Sequence, residues 1–591
     1  MSVLTRTPPS SEPAEPPAVG PGYRWTVMSN TTLGTFMAML DASIVLISLP
    51  AIFRGIHLDP LAPANISYLL WMMMGYMVVT AVLVVTFGKL GDMFGRVRMY
   101  NAGFLVFTLA SVALSLTPGR GSSAALFMIL FRVVQGIGGS LLMANSTAIL
   151  VDAFPAEKRG MAMGINMIAG ISGSFIGLIL GGVLADINWR LVFWVNVPFG
   201  LFGTVWAYAM LKELGTKKRT RIDVKGNVTF ALGLILVLVG ITYGIQPYKH
   251  HNMGWGGPWV LAELLGGVAL LAWFVRIERR HEDPMFNIKL FRIRAFAAGN
   301  AAGLLSSIGR GGLQFMLIIW LQGIWLPQHG YRFEDTPLWA GIYMIPTTIG
   351  FLVSAPASGA LSDRFGARGF ATIGMVVTAL GFIALMLLPV NFPYPLFALF
   401  LFINAVGMGM FAAPNVTGIM NAVPADQRGS ASGMRATFQN SGMVLSIGLF
   451  FSLMIIGLAS SLPHATYVGL TGQGLAPATA SGISHLPPVA LLFAAFLGYN
   501  PMKTLLGPKL ATLSPSAQAN VTGRTFFPHL ISGPFHTGLR IAFTVSVVMC
   551  LIAAAASFLR GKDTPTSGHL DAEEAQAEAE VVAGAADWMH A

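Results

Sequence analysis

Asp41, Arg132, Glu263 and Arg310 stand inside otherwise apolar stretches of this chain. A charge at the centre of such a stretch costs about 2.5–3.5 kcal/mol or more, so each invites a functional explanation. Asp41 has the chemistry of a proton carrier. Burial favours the protonated carboxyl and a neighbouring guanidinium favours the ionised one, so a partner that moves can switch it between the two. Arg132 is the candidate partner, and Gln135, three residues on, shares its helical face. The plainer alternative is a fixed Asp–Arg pair that ties two helices together. Other chemistries find no footing. The chain has no GxxxxGK[ST] phosphate loop, no GxSxG and no HExxH. Its histidines are scattered, and the single cysteine, Cys550, can form neither an intrachain disulfide nor a cysteine metal cluster. The expectation is therefore a protein that is no enzyme, with no metal and no cofactor.

The surroundings explain why those charges stand out. Of 591 residues, 54% are hydrophobic and 10% charged, far below the roughly 25% of an ordinary soluble domain. Soluble, collagenous and disordered classes are excluded, and an all-α polytopic membrane protein remains. A helix needs about 20 apolar residues to cross a bilayer. Fourteen stretches qualify: 25–50, 66–87, 100–117, 124–144, 161–185, 191–211, 226–246, 258–276, 296–322, 338–358, 369–389, 394–415, 431–457 and 537–560. A further run, Leu486 to Tyr499, follows Pro487-Pro488 and is placed in a long loop, 458–536. Residues 1–24 lack the compact apolar core of a signal peptide and form an N-terminal tail, and 561–591 form an acidic one.

Basic residues orient the spans. The densest runs, Lys217-Lys218-Arg219 with Arg221 and Arg276 through Arg294, fall on the side that holds both termini, which makes that side cytoplasmic. The net charge of +11 is thereby a topology signal, and no nucleic-acid partner is expected.

The chain also repeats itself. Gly88, Leu90, Asp92, Phe94 and Gly95 recur with identical spacing as Gly359, Leu361, Asp363, Phe365 and Gly366. Ala153, Pro155, Arg159, Gly160 and Gly164 recur, at nearly the same offset, as Ala422, Pro424, Arg428, Gly429 and Gly433. Two six-span halves, 25–211 and 296–560, are therefore expected, with 212–295 supplying linkers and two inserted spans: a 6 + 2 + 6 arrangement of parallel repeats. By the same offset Asp41 maps beside Arg310, whereas Arg132 maps near Leu401 and has no charged counterpart.

These motifs resemble a known family. Gly88-Lys89-Leu90-Gly91-Asp92-Met93-Phe94-Gly95-Arg96-Val97-Arg98 is similar to the signature loop of the major facilitator superfamily. Leu40-Asp41-Ala42-Ser43-Ile44-Val45 through Pro50, Arg132 through Gly139, and Trp189-Arg190 with Phe193, Asn196, Pro198 and Gly200 resemble its fourteen-span drug:proton antiporter branch, the EmrB/QacA type. The resemblance covers about residues 25–457 and 537–560.

It implies that spans one, four, nine and twelve line a central cavity, so that Asp41, Arg132, Gln135 and Arg310 face it. Asp41 and Arg132 would couple transport to protons, Gln135 and Arg310 would meet the substrate, and Glu263 would be structural. Gly88, Asp92, Gly95, Arg96 and Arg98 would latch one conformation by pairing across the cytoplasmic face. Span five carries Gly173, Gly177, Gly181 and Gly182, similar to an antiporter motif in which a proline follows the second glycine. Leu178 stands in that proline's place, and small-residue packing explains the glycines equally well.

The function so implied is proton-driven multidrug efflux from a plasma (inner) membrane by a monomer, the kind of activity that confers antibiotic resistance. A lipid, peptide or endogenous metabolite is the alternative cargo, and a symporter or uniporter cycle the third choice. Arg310 itself would either pair with Asp41 across the cavity or hold an acidic or zwitterionic cargo. The topology is directly testable. In a Cys550→Ser background, Lys217→Cys should resist a membrane-impermeant thiol reagent applied to cells and Leu510→Cys should react; the opposite pattern at either site would overturn it.

Overall fold

The computed structural model describes residues 20–59, 62–154, 156–214, 223–249, 251–281, 284, 286–424, 427–498 and 500–561. The basic run at 217–221 and, of the two terminal tails, residues 1–19 and 562–591 lie outside the described residues; the first helix begins at Pro21, inside the expected N-terminal tail. Within them the chain is all-helical, because a helix is the one local structure that satisfies every backbone N–H and C=O without water.

Among the described residues, fourteen helices are long and apolar enough to cross a membrane. Spans one to six are Gly22–Gly55, Ser67–Phe94, Arg96–Ser115, Ser122–Ala153, Met161–Ile187 and Leu191–Met210. Spans seven and eight are Val224–Gly244 and Pro258–Glu278. Spans nine to fourteen are Arg294–Gln328, Thr336–Ser362, Ala367–Leu387, Tyr394–Asn421, Ser430–Thr471 and Phe526–Phe558. Span one packs along span five, and span four along spans two and three. Span twelve lies along ten and eleven, span thirteen along nine and fourteen, and seven and eight pair with each other. Span seven also touches spans two and thirteen.

The internal repeat reappears as geometry. Gly95 ends span two with φ 109°, and Gly366 ends span ten with φ 86°. Both sit in the left-handed region that only glycine enters freely, and each amide donates 2.9 Å to the carbonyl four residues back. Span three crosses span four where Gly103 meets Gly138, and span eleven crosses span twelve where Gly374 meets Gly407. A Cβ at any of these four would run into the backbone of the neighbouring helix. The repeat therefore preserves the two features that fix helix placement: where a chain turns back, and where two backbones touch.

One segment differs from its expected bounds. The helix that contains span thirteen runs unbroken from Arg428 to Thr471, 44 residues and about twice the length that a hydrocarbon core requires. The last helix begins at Phe526 rather than near 537. The loop between them is thus 472–525 rather than 458–536. Pro463 and Pro534 lie inside these helices, where the polar residues around them predict an end. The helices continue because they support each other, Gly457 packing on Gly538 and Gly469 on Leu530.

Nor is the loop open. Pro477–Ser484 and Pro488–Phe496 form two helices bent 79° at the break. Every residue of the second is buried. It packs on spans two and thirteen and on Ile319–Trp325, a π-helical turn of span nine, whose Gly323 lies against the Ala495 carbonyl.

The glycine crossings make a measurable claim. Gly138→Leu or Gly407→Leu should cost about 1–3 kcal/mol by overpacking, read as a lower melting temperature of purified protein. Gly256→Ala, where an added Cβ meets nothing within 4 Å, should leave it unchanged.

Candidate functional site

Asp41 lies midway along span one and Arg132 faces it from span four, with 2.6 Å between Oδ2 and Nη1. The second carboxylate oxygen, Oδ1, accepts from Gln135 Nε2 at 2.9 Å and from Asn196 Nδ2 of span six at 2.8 Å. Gln135 Oε1 accepts from Arg132 Nη1 at 2.7 Å, and its amide also donates to Ser111 of span three at 2.9 Å. On its other side the guanidinium lies 4.7 Å from the centre of the Tyr76 ring of span two, a cation–π contact. Asp41, Gln135 and Asn196 are 0% exposed and Arg132 2%.

This geometry corrects part of the sequence reading. Asp41, Arg132 and Gln135 come together as expected, but inside the first six helices, sealed by spans one, two, three, four and six rather than open to a central cavity. Gln135 in particular has its amide and its carbonyl engaged and has no surface to offer a substrate. A long polar side chain in a low-dielectric bundle is held by whatever completes its hydrogen bonds, and here those groups are its neighbours'. Asn196 was visible in the sequence as part of a motif, but its role as second donor to the carboxylate was not. Ser111 and Tyr76 carried no signal at all.

The loop at 88–98 also bonds differently from expectation. Arg96 lies between two carboxylates, Asp92 at 2.7 Å and Asp152 at 2.6 Å. Glu213, just past span six, accepts from the backbone N–H groups of Arg96 at 2.8 Å and Val97 at 3.1 Å, and so caps the N-terminus of span three with a carboxylate. All of these bonds stay within the first six spans and their flanking loop. Arg98 is exposed, and a Cβ at Gly88 would meet only Ala144, at an ordinary 4.0 Å. Asp152 and Glu213 were missed because each looked like one more charge in a polar connection.

The span-five glycines serve two surfaces. Gly173, Gly177 and Gly181 face span one, against the carbonyls of Phe36, Leu40 and Ile44. Gly182 instead faces span ten, where it meets the backbone of Leu338, and Gly341 of span ten meets the Leu178 carbonyl. Leu178 thus stands where spans five and ten touch.

The remaining charges divide unevenly. Arg310 holds the position in span nine that Asp41 holds in span one, yet it does not pair with Asp41, whose oxygens are already taken. It is half-buried and, among the described residues, makes no hydrogen bond or ion pair. Arg435, which lies within the expected 431–457 stretch but was not singled out from the sequence, is also half-buried, and its Nη1 donates to Gln439 Oε1 at 2.8 Å. Glu263 has one carboxylate oxygen buried without a partner.

With this geometry in view, comparison with known proteins is informative. The family model described as the Major Facilitator Superfamily matches residues 31–447. The chain belongs to that superfamily. It is 28% identical to the tetracenomycin C resistance and export protein of Streptomyces glaucescens over 96% of this chain and 97% of that protein. It is 29% identical to the multidrug resistance protein Stp of Mycobacterium tuberculosis over 73% of this chain and 76% of that one. Among solved structures it resembles a bacterial homologue of the human lysosomal transporter Spinster in an inward-facing, unoccupied conformation, with TM-score 0.53, 16% identity and coverage of 92% and 98%. The chain is thus a multi-pass membrane transporter of the superfamily, with drug-resistance and export proteins among its relatives.

The ion pair predicts a specific pattern of stability. Asp41→Asn leaves Arg132 buried with a neutral neighbour and should cost about 3–5 kcal/mol. Asp41→Asn combined with Arg132→Met should recover much of that loss, measured as the thermal midpoint of purified protein. A double variant no more stable than the single one would mean the pair is not the source.

Proposed function

We propose that the protein is a secondary exporter that moves a hydrophobic or amphipathic small molecule out of the cell in exchange for protons, by alternating access of two six-helix halves. In this reading residues 25–211 and 296–560 are the rocking units and spans seven and eight are inserted between them. The bilayer is a plasma membrane, both termini are cytoplasmic, and the protein works as a monomer without a cofactor.

The observation that carries the proton coupling is the sealed Asp41–Arg132 pair. This carboxylate accepts from one guanidinium and two amides, so both of its oxygens are engaged. It can take up a proton only if Arg132 or an amide-bearing helix moves away, and protonation in turn releases the helices it ties. Proton binding and helix rearrangement are thereby one event, as coupling requires. The direction of transport rests on the resistance and export proteins among the relatives.

The contact of Gly182 and Leu338 supports a state closed at the non-cytoplasmic end. The bonds of Asp92 and Arg96, which stay within the first half, agree with that reading. In the alternate state the loop at 88–98 would meet the second half, with Asp92 and Arg96 exchanging partners.

The test uses proteoliposomes loaded with a pH-indicating dye, after thermal-shift screening has found a cargo. Adding that cargo should shift internal pH in step with its own flux. Asp41→Asn should reduce gradient-driven flux at least tenfold while cargo still binds. Undiminished gradient-driven flux in Asp41→Asn would remove this carboxylate from coupling, and cargo flux with no proton movement would make the protein a uniporter.

A further inference from the structure

The two halves of this transporter differ in their charge inventory. In spans one to six the deep charges cancel, since Asp41 and Arg132 form a closed pair. Within the bounds given above, spans nine to fourteen contain no aspartate or glutamate, Asp363 standing one residue past span ten, yet they carry Arg310 and Arg435 within them. Of the other arginines in these spans, Arg294 and Arg368 stand at the ends of spans nine and eleven, and Arg540 of span fourteen is exposed. Among the described residues Arg310 has no hydrogen bond or ion pair, and Arg435 has only the neutral Gln439 oxygen, its buried Nε being without a partner. The deep carboxylate of the other half, Asp41, is saturated. Asn440 Nδ2, five residues on in the same helix, is buried and without a partner as well, as is the Thr437 hydroxyl.

Position along the helices gives these cations an order. Arg435 stands in the second turn of span thirteen, counted from Ser430 at the terminal-side end. Arg310 stands in the fifth turn of span nine, counted from Arg294 at that same end, and so near mid-membrane. Each lies on a helix face turned into the second half. Arg435 is two turns below Gly442, which packs on Leu304 and Ser307 of span nine, and Arg310 is two turns above Gly303, which faces Asn415 of span twelve. Both are half-buried rather than sealed.

We propose that Arg310 and Arg435 form an anion-recognition path in the second half, and that the cargo carries an acidic group: a carboxylate, an ionised phenol or a phosphate. Arg435 meets this group near the cytoplasmic mouth and Arg310 holds it at mid-depth, where no carboxylate of that half compensates its charge. A permanent cation would face two positive charges and no opposing carboxylate in these spans, so lipophilic cations are disfavoured. The inference deepens the exporter reading above and rests on it for the word cargo, though anion binding itself requires no transport. The acidic group could belong to a free small molecule or to a lipid headgroup; the chemistry at the two arginines is the same.

The test is a binding titration on the purified full-length protein in neutral detergent, followed by fluorescence anisotropy. Carboxyfluorescein is the anionic probe and rhodamine 6G a cationic probe of similar shape. Wild type should bind the anion at least tenfold more tightly than the cation. Arg310→Gln should weaken the anion at least tenfold and leave the cation unchanged or improved, while Arg310→Lys should stay within threefold of wild type. Arg435→Gln should weaken the anion severalfold, and Arg332→Gln, at an exposed pair outside the spans, should change nothing. If Arg310→Gln fails to fold, the Lys variant and Arg435→Gln still decide the matter.

Repeating the titration in phosphatidylcholine nanodiscs with and without phosphatidylglycerol separates the sources. Displacement of carboxyfluorescein by phosphatidylglycerol, lost in Arg310→Gln, assigns the site to a headgroup; no displacement assigns it to a free acid. Equal loss of both dyes in Arg310→Gln, tighter binding of the cation by wild type, or no anion binding by wild type would each overturn the proposal. Anion binding without any flux in proteoliposomes would refute the exporter reading and leave the site standing.

Discussion

A carboxylate and a guanidinium 2.6 Å apart, with essentially no water on either, set the terms for the first half of this protein. Taking two such charges out of water is costly, and the cost is recovered only when every remaining lone pair and N–H is met. Asn196, Gln135, Ser111, the Met72 carbonyl at 3.4 Å and the Tyr76 ring supply most of those partners, leaving only Asn196 Oδ1 and Tyr76 Oη of this group buried without one among the described residues, and in doing so they draw spans one, two, three, four and six to one point. A network closed to this degree does not yield gradually. Losing one member strands the others in low dielectric, so the arrangement is suited to two discrete states rather than a continuum.

Around that point the helices are positioned by small residues. In a bilayer there is no hydrophobic force between helices, and close backbone approach replaces it. The span one–span five contact rests on Gly173, Gly177 and Gly181, and the paired crossings at Gly103–Gly138 and Gly374–Gly407 repeat the same device in both halves. Gly182 extends it to the contact between halves. The antiporter-like glycine motif is therefore a packing surface here, facing span one on one side and span ten on the other. Leu178 stands in the place of that motif's proline, its carbonyl against Gly341 of span ten. The segment between spans thirteen and fourteen adds a third element: an apolar helix, Pro488–Phe496, buried against spans two and thirteen and the π-helical turn of span nine, and so touching both halves.

Much of this was legible in the chain itself. Fourteen apolar stretches followed from hydrocarbon thickness, and the duplication followed from Gly95 and Gly366 and their neighbours, because a tight turn between helices accepts only glycine. Asp41, Arg132 and Gln135 stood out because charge in an apolar run is costly wherever the run ends up. Their mutual contact was inferable too, since two opposite charges placed in lipid have few other partners. These are local or pairwise constraints, and a linear pattern records them.

Which way those side chains face was decided only by tertiary structure. Periodicity says that Gln135 shares a face with Arg132, but whether that face meets a cavity or four other helices depends on how spans three and six pack, which no single helix encodes. The same holds for Asp152 and Glu213, ordinary loop charges until folding brings them to Arg96 and to the N-terminus of span three. It holds for Arg310, which sequence symmetry placed opposite Asp41 and which packing keeps apart from it. Span thirteen runs past its expected end because span fourteen lies alongside it. Hydropathy and repeats fix what must be buried and how often; the hydrogen-bond partner of a buried charge is a property of the assembled bundle, because it comes from residues distant in the chain.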